Sequence, residues 1–221
     1  MATLSVNTDF SSELLLNRIM NGQMKTDTGK TVTAGTRSTA ATLDATALSL
    51  GVTAAAVGSA KTIAQGTQSA LTEVVSQLKS LRDALTSPGA DAATLGGAYK
   101  TSLDKLLATT VDGNAVLGAT GQDVKLGSGT AEKISIGGVN LANKTDFKAL
   151  YTVLETAPTD TLVDKAITEV NTLIGLEGAK YSLLSNRVDM LNDLTTTYQT
   201  ASDDQAVSTG GSASSLLNAL G

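Results

Sequence analysis

Histidine and cysteine, the side chains that most often act as general base, nucleophile or transition-metal ligand near neutral pH, do not occur in these 221 residues. Catalysis would have to rest on Asp, Glu, Lys, Tyr and Ser, and no spacing of these marks a site. The adjacent carboxylates Asp203 and Asp204 do not face one another on a helix. They read as a solvated, loosely structured end. A calcium loop needs oxygen ligands at alternating positions and a closing Glu, which the tail SDDQAVSTGG lacks. The glycines from Gly127 to Gly138 have no Gly-Lys-Ser/Thr ending and no strand-to-helix setting in which to cradle phosphate, so they read as turn residues. With 16 Lys and Arg against 21 Asp and Glu, a net charge of −5, nothing supplies a basic surface for nucleic acid. The expectation is a protein that is not an enzyme, takes no cofactor or metal and binds no nucleic acid.

The elements that would position side chains are long helices. Ala, Thr, Ser and Gly fill nearly half the chain, and Tyr and Phe number only four and two. That is thin material for a compact core, and it favours helices packed side by side. From Leu43, alternate steps of four and three meet Ala47, Leu50, Ala54, Val57, Lys61, Ala64, Gln68, Leu71, Val75, Leu78, Arg82 and Leu85, which is coiled-coil spacing. Ser87-Pro88-Gly89 stops this helix. A second helix, about Asp91 to Leu107, carries Leu95, Tyr99, Leu103 and Leu106. Between Val111 and Leu141 the turn residues Asp112-Gly113, Gly118, Gly121, Gly127, Gly129 and Gly137-Gly138 separate alternating pieces, Val124-Lys125-Leu126 and Ile134-Ser135-Ile136, so a β-hairpin region is expected. A connection follows from Asn143 to Thr161. The last long helix, about Leu162 to Thr200, has the seam Val163, Ile167, Val170, Ile174, Glu177, Tyr181, Leu184, Val188, Leu191, Thr195 and Tyr198.

Both ends read as less regular. Ser11 to Asn21 forms a short helical candidate with Asp9 as N-cap, and Gly22 to Arg37 is a loose polar stretch. Ala201 to Ser215 is a polar tail before Leu216-Leu217-Asn218-Ala219-Leu220. Asp9, Glu13 and Arg18 interrupt the place where a secretory signal needs a continuous apolar region. Unbroken apolar runs such as Ala54 to Val57 fall short of the roughly 20 residues of a spanning helix, so no membrane insertion is expected. Terminal helices paired across a central insert give a mainly α fold, an elongated antiparallel coiled-coil helical rod with a small β-hairpin region.

The text at 63–84, IAQGTQSALTEVVSQLKSLRDA, resembles the N-terminal rod helix of bacterial flagellins through Ile63, Ala64, Gln65, Ala70, Leu71, Glu73, Val74, Leu78, Leu81, Arg82 and Asp83. The opening Leu4-Ser5-Val6-Asn7-Thr8 is similar to the flagellin opening, and Ala34-Gly35-Thr36-Arg37 falls where that family carries a Ser-Gly-x-Arg turn. The run from Asp112-Gly113-Asn114 to Ile134-Ser135-Ile136 resembles the family's hairpin. Gly178-Ala179 and Asn186-Arg187 resemble its C-terminal rod helix, with Leu184, Val188 and Leu191 beside them. The stretches before Ile63 and after Arg187 are shorter than is usual in the family, and there is no room for its variable outer domains.

The resemblance implies reduced inner-core segments at 1–40 and 201–221, N-terminal rod helices at 41–110, the hairpin region and connection at 111–161, and the C-terminal rod helix at 162–200. It implies a secreted, extracellular structural subunit of a bacterial-type flagellar filament, whose partner is itself in a helical homopolymer. An export chaperone and hook-associated or cap proteins would be further partners. The quoted rod-helix residues, apart from Asp83, Gly178 and Ala179, would serve rod packing and assembly. Arg82 reads as a side chain covering apolar surface or as a subunit contact, and Arg187 as pairing across the rod. The alternatives are a hook–filament junction protein, another secreted flagellin-like filament or adhesion protein, and a phage or secretion-system filament subunit.

Overall fold

The computed structural model describes residues 32–127 and 132–219, with side chains from 39 to 127 and from 132 to 205. The described chain is mainly helical. Helix α1 spans Val32–Leu85 and α2 Ala92–Leu107. Four short strands follow: β1 (Thr110–Val111), β2 (Asn114–Ala115), β3 (Gly121–Lys125) and β4 (Lys133–Gly137). A 3-10 turn at Leu141–Asn143 leads into α3 (Thr145–Val153), and α4 spans Asp160–Ala219. The described residues divide into two compact units, one within 32–49 and 194–219, the other within 50–193.

In the first unit Leu43, Ala47, Tyr198 and Ser202 are buried, and the Ser202 hydroxyl donates to the Ala40 carbonyl at 3.2 Å. Burial pushes the Tyr198 hydroxyl pKa up.

In the second unit α1 and α4 run antiparallel. Lys61 Nζ donates to Ser185 Oγ at 3.0 Å and sits 5.2 Å above the Tyr181 ring. A Cβ on Gly178 would lie 3.3 Å from Gln68 Nε2. Arg82 pairs with Asp164 at 3.2 Å. Seven residues forward along α1, from 61 to 68, are matched by seven back along α4, from 185 to 178. The next fourteen, to 82, are matched by fourteen back to 164. No seam position named above on either helix is exposed.

The turns follow their residue chemistry. At Ser87-Pro88-Gly89-Ala90 the Ala90 N–H donates to the Ser87 carbonyl at 3.2 Å with Gly89 at φ 77°, the type II pattern that Pro-Gly favours. Asp91 caps α2, accepting from the Ala93 and Thr94 N–H groups. Its carboxyl pKa is lowered first by the Thr94 hydroxyl and then by the Thr94 N–H. Asp112 (φ 49°) and Gly113 (φ 77°) supply the two left-handed residues of a tight hairpin that pairs Val111 with Asn114. Strands β3 and β4 pair antiparallel from Gly121↔Gly137 to Lys125↔Lys133.

The sequence reading is corrected in several places. Residues 32–37, read as loose, and the Ala34–Arg37 turn within them are helical. Extending an established helix costs far less than nucleating one, and a lone Gly35 does not stop it. The tail from Ala201, including Asp203 and Asp204, is helical to Ala219, because polarity without proline does not break a helix. The segment boundaries set at 40/41, 161/162 and 200/201 therefore fall inside helices. The Asn143–Thr161 connection contains α3, whose Phe147, Leu150 and Tyr151, with the C-cap Leu154, recur at helical spacing and pack into the core. Glu169 on α4 fastens it, accepting from the Asp146 and Phe147 N–H groups at 2.9 Å each. By length and composition alone, Thr39–Leu85 contains a window apolar enough to cross a membrane. It arises because no charged residue occurs from 45 to 60, although no unbroken apolar run is long. The candidate helix at Ser11 to Asn21 with its Asp9 cap lies outside the described residues.

Two tests address this packing. A Cβ on Gly96 would overlap the Leu154 carbonyl oxygen, whereas one on neighbouring Gly97 meets nothing within 4 Å. Gly96→Ala is therefore expected to lower stability by about 1–3 kcal/mol, and Gly97→Ala to raise it by about 0.5–1 kcal/mol, in urea denaturation. The Tyr151 hydroxyl donates to Asp104, and burial, that bond and the charges of Asp104 and Glu155 push its pKa up to about 12. A folded-state pKa above the unfolded value near 10 means the stabilisation is complete below about pH 10 and lost as pH rises through about 12. Tyr151→Phe is expected to flatten that part of the stability–pH curve.

Candidate assembly surface

The side chains singled out in the sequence fall into two groups. Ile63, Ala64, Ala70, Leu71, Val74, Leu78 and Leu81 on α1, with Leu184 and Leu191 on α4, are buried in the core of the second unit, and Val188 packs partly buried against it. Gln65, Glu73 and Asn186 are exposed. Glu73 accepts from Gln77 one turn along its own helix, at 2.9 Å.

The two arginines differ. Arg82 reaches Asp164 of α4 and its neighbour Asp83, both at 3.2 Å. The hydrogen bond to Asp164, and after it that to Asp83, raises its pKa further, so the guanidinium stays charged. Arg187, read as pairing across the rod, pairs with the β3–β4 hairpin. Its Nε donates to the Leu126 carbonyl and its Nη2 lies 3.4 Å from Glu132 Oε2, so it ties the loop end of the β3–β4 hairpin to α4. The planar fork of donors suits a backbone carbonyl and a carboxylate together.

The most unusual group is Glu177, an acid in the apolar seam of α4 that is only 3% exposed. Its Oε1 accepts from Lys180 Nζ at 2.7 Å, while Oε2 is buried with no hydrogen-bond partner in the described structure. Glu177 lines a groove of about 470 Å³ between the β4 region and α4, whose walls include Ile134, Val139, Leu173, Leu176 and Leu183. The heptad pattern placed Glu177 in the seam without revealing the groove, because the β4 wall comes from forty residues earlier in the chain.

A second apolar stripe was also missed. Among the described residues the large apolar side chains left exposed are Leu48 and Val52 on α1 and Leu176, Leu183 and Met190 on α4. Leu176, Leu183 and Met190 are seven residues apart and lie on the side of α4 away from the seam. Among the described residues no cluster of three or more Asp or Glu side chains could hold a metal ion. Compared with models of known protein families and with curated proteins, the sequence finds no match.

Burying an unpartnered carboxylate oxygen costs about 1–3 kcal/mol, and Lys180, partly exposed, can turn to water if its partner is removed. Glu177→Leu is accordingly expected to raise the stability of the isolated chain by about 1–2 kcal/mol in urea denaturation. A drop in stability would contradict this reading of the site.

Proposed function

We propose that this protein is a structural subunit that polymerises through apolar helix faces into an extracellular helical filament, of the flagellar type that the sequence resembles. The observation that carries the reading is the second stripe. Both long helices bury one heptad face in the chain's own core and leave large apolar residues on the opposite side. A soluble helix spends its outer face on charged and polar residues. An uncharged stretch from 45 to 60 is matched instead to close contact with other helices, and its Ala, Gly and Ser residues admit near approach. Each Leu or Val fully buried contributes about 1.5–3 kcal/mol, so a few per contact hold a subunit once contacts repeat.

In this reading the two long helices form an antiparallel coiled-coil rod, the protein is exported, and no catalysis, cofactor or nucleic acid is involved. On the same reading the apolar window in α1, about 22% of it buried within the chain, packs its remaining apolar face against further helices.

Negative-stain microscopy of concentrated protein, seeded and unseeded, is the test. Long filaments are expected from the full chain. Chains lacking 1–35 or 205–221 are expected to keep the helicity of the remainder by circular dichroism and to form none. Filaments from either truncation would count against a role for the ends, and capping of another protein's filament without self-polymerisation would favour the junction-protein alternative.

A further inference from the structure

The groove between the β4 region and α4 is amphipathic. Leu173, Leu176, Lys180 and Leu183 follow one another at helical spacing along α4 and line one side, and Ile134 and Val139 line the other. Lys144, at the N-cap position of α3, also faces it. The charged side chains of the groove are therefore Lys144, Lys180 and Glu177, two cations and one anion.

The three are not equivalent. Glu177 is closed to any ligand, because Lys180 Nζ occupies Oε1 at 2.7 Å and Oε2 is buried. Lys180 keeps a side chain that is 31% exposed, with further N–H donors beyond the one that Glu177 engages. Lys144 is partly buried, and among the described residues its ammonium group has no hydrogen bond or ion pair. Glu169, one turn before Leu173 on α4, does not serve it. That carboxylate is engaged by the Asp146 and Phe147 N–H groups. The groove thus carries one positive charge in excess.

These constraints narrow the occupant. A cationic ligand finds no accessible carboxylate there. A wholly apolar one would strip water from Lys144 and Lys180 and return no partner. An anion carried on an apolar body satisfies both kinds of wall. We propose that the groove binds a small amphipathic carboxylate, its head group paired with Lys144 and with the remaining donors of Lys180, and its hydrocarbon laid along the leucines of α4. The volume, about 470 Å³, is that of a small-molecule site. Glu177 is then a positioning residue that holds Lys180 at the groove, which gives a buried acid in an apolar seam a purpose. The site belongs to the single chain and does not depend on the filament reading.

The test follows amide chemical shifts of the full, isotopically labelled chain, kept dilute, during titration with octanoate or with octylammonium. The two share a hydrocarbon and differ in the sign of the head group. Octanoate is expected to give saturable shifts at Gly137, Val139, Ala179 and Leu183, and octylammonium none. Lys144→Ala is expected to weaken octanoate binding at least several-fold, and Lys144→Arg to keep it. Leu176, 56% exposed, can change without loss of the core, and Leu176→Asp is expected to abolish binding. Equal binding of the two probes, or octanoate binding unaltered by Lys144→Ala or Leu176→Asp, overturns the proposal. So do octanoate shifts confined to other parts of the chain, or none at all.

Discussion

The antiparallel registration of α1 against α4 in the second unit is the constraint on which the rest depends. Its polar seam positions fix it. Lys61 finds Ser185 and the Tyr181 ring, Gln68 lies beside Gly178, and Arg82 finds Asp164, all at multiples of seven residues. Sliding one helix by a heptad would place Arg82 opposite Ala157 or Asn171 instead of a carboxylate. Leu and Val layers alone tolerate such a slip, whereas a few polar positions in a heptad seam select one register. Exposed ion pairs add little stability, so their value here lies in alignment. The hairpin and α3 are then fastened to α4 by Arg187 and Glu169, each using side-chain groups to satisfy backbone ones.

Once one face of each helix is committed to the seam, the opposite face is determined as well. The proposed function rests on those outer residues. Val52, Leu176, Leu183 and Met190 stay exposed in the single chain, and Glu177 is paired through only one of its oxygens. A sequence selected only to fold would place charge on those helix faces and an apolar residue at Glu177. Under the proposed filament reading these exposed apolar residues are the surfaces that join copies.

Much of this was legible from residue spacing. The two seams, the Pro88-Gly89 stop and the Asp112-Gly113 turn each follow from local rules that tertiary structure did not override. Other features were not legible, for identifiable reasons. A heptad search follows the strongest apolar face, and so it passes over a second stripe of the same period in which Leu183 and Met190 flank a polar Asn186. Polar composition made 201–215 look irregular, although Thr, Ser and Gln merely lower helix propensity and do not end a helix. Nine-residue α3 was too short to stand out inside a connection. The partner of Arg187 lies sixty-one residues away in the chain at Leu126, and nothing local to Asn186-Arg187 points there.

Self-association driven by apolar faces is tested most directly by sedimentation velocity of the purified chain over a wide concentration range, from cold to warm. Growth of large polymers above a threshold concentration is expected, with the threshold falling on warming as apolar burial strengthens. A single species of 22.4 kDa at every concentration and temperature, with and without preformed nuclei, would contradict it.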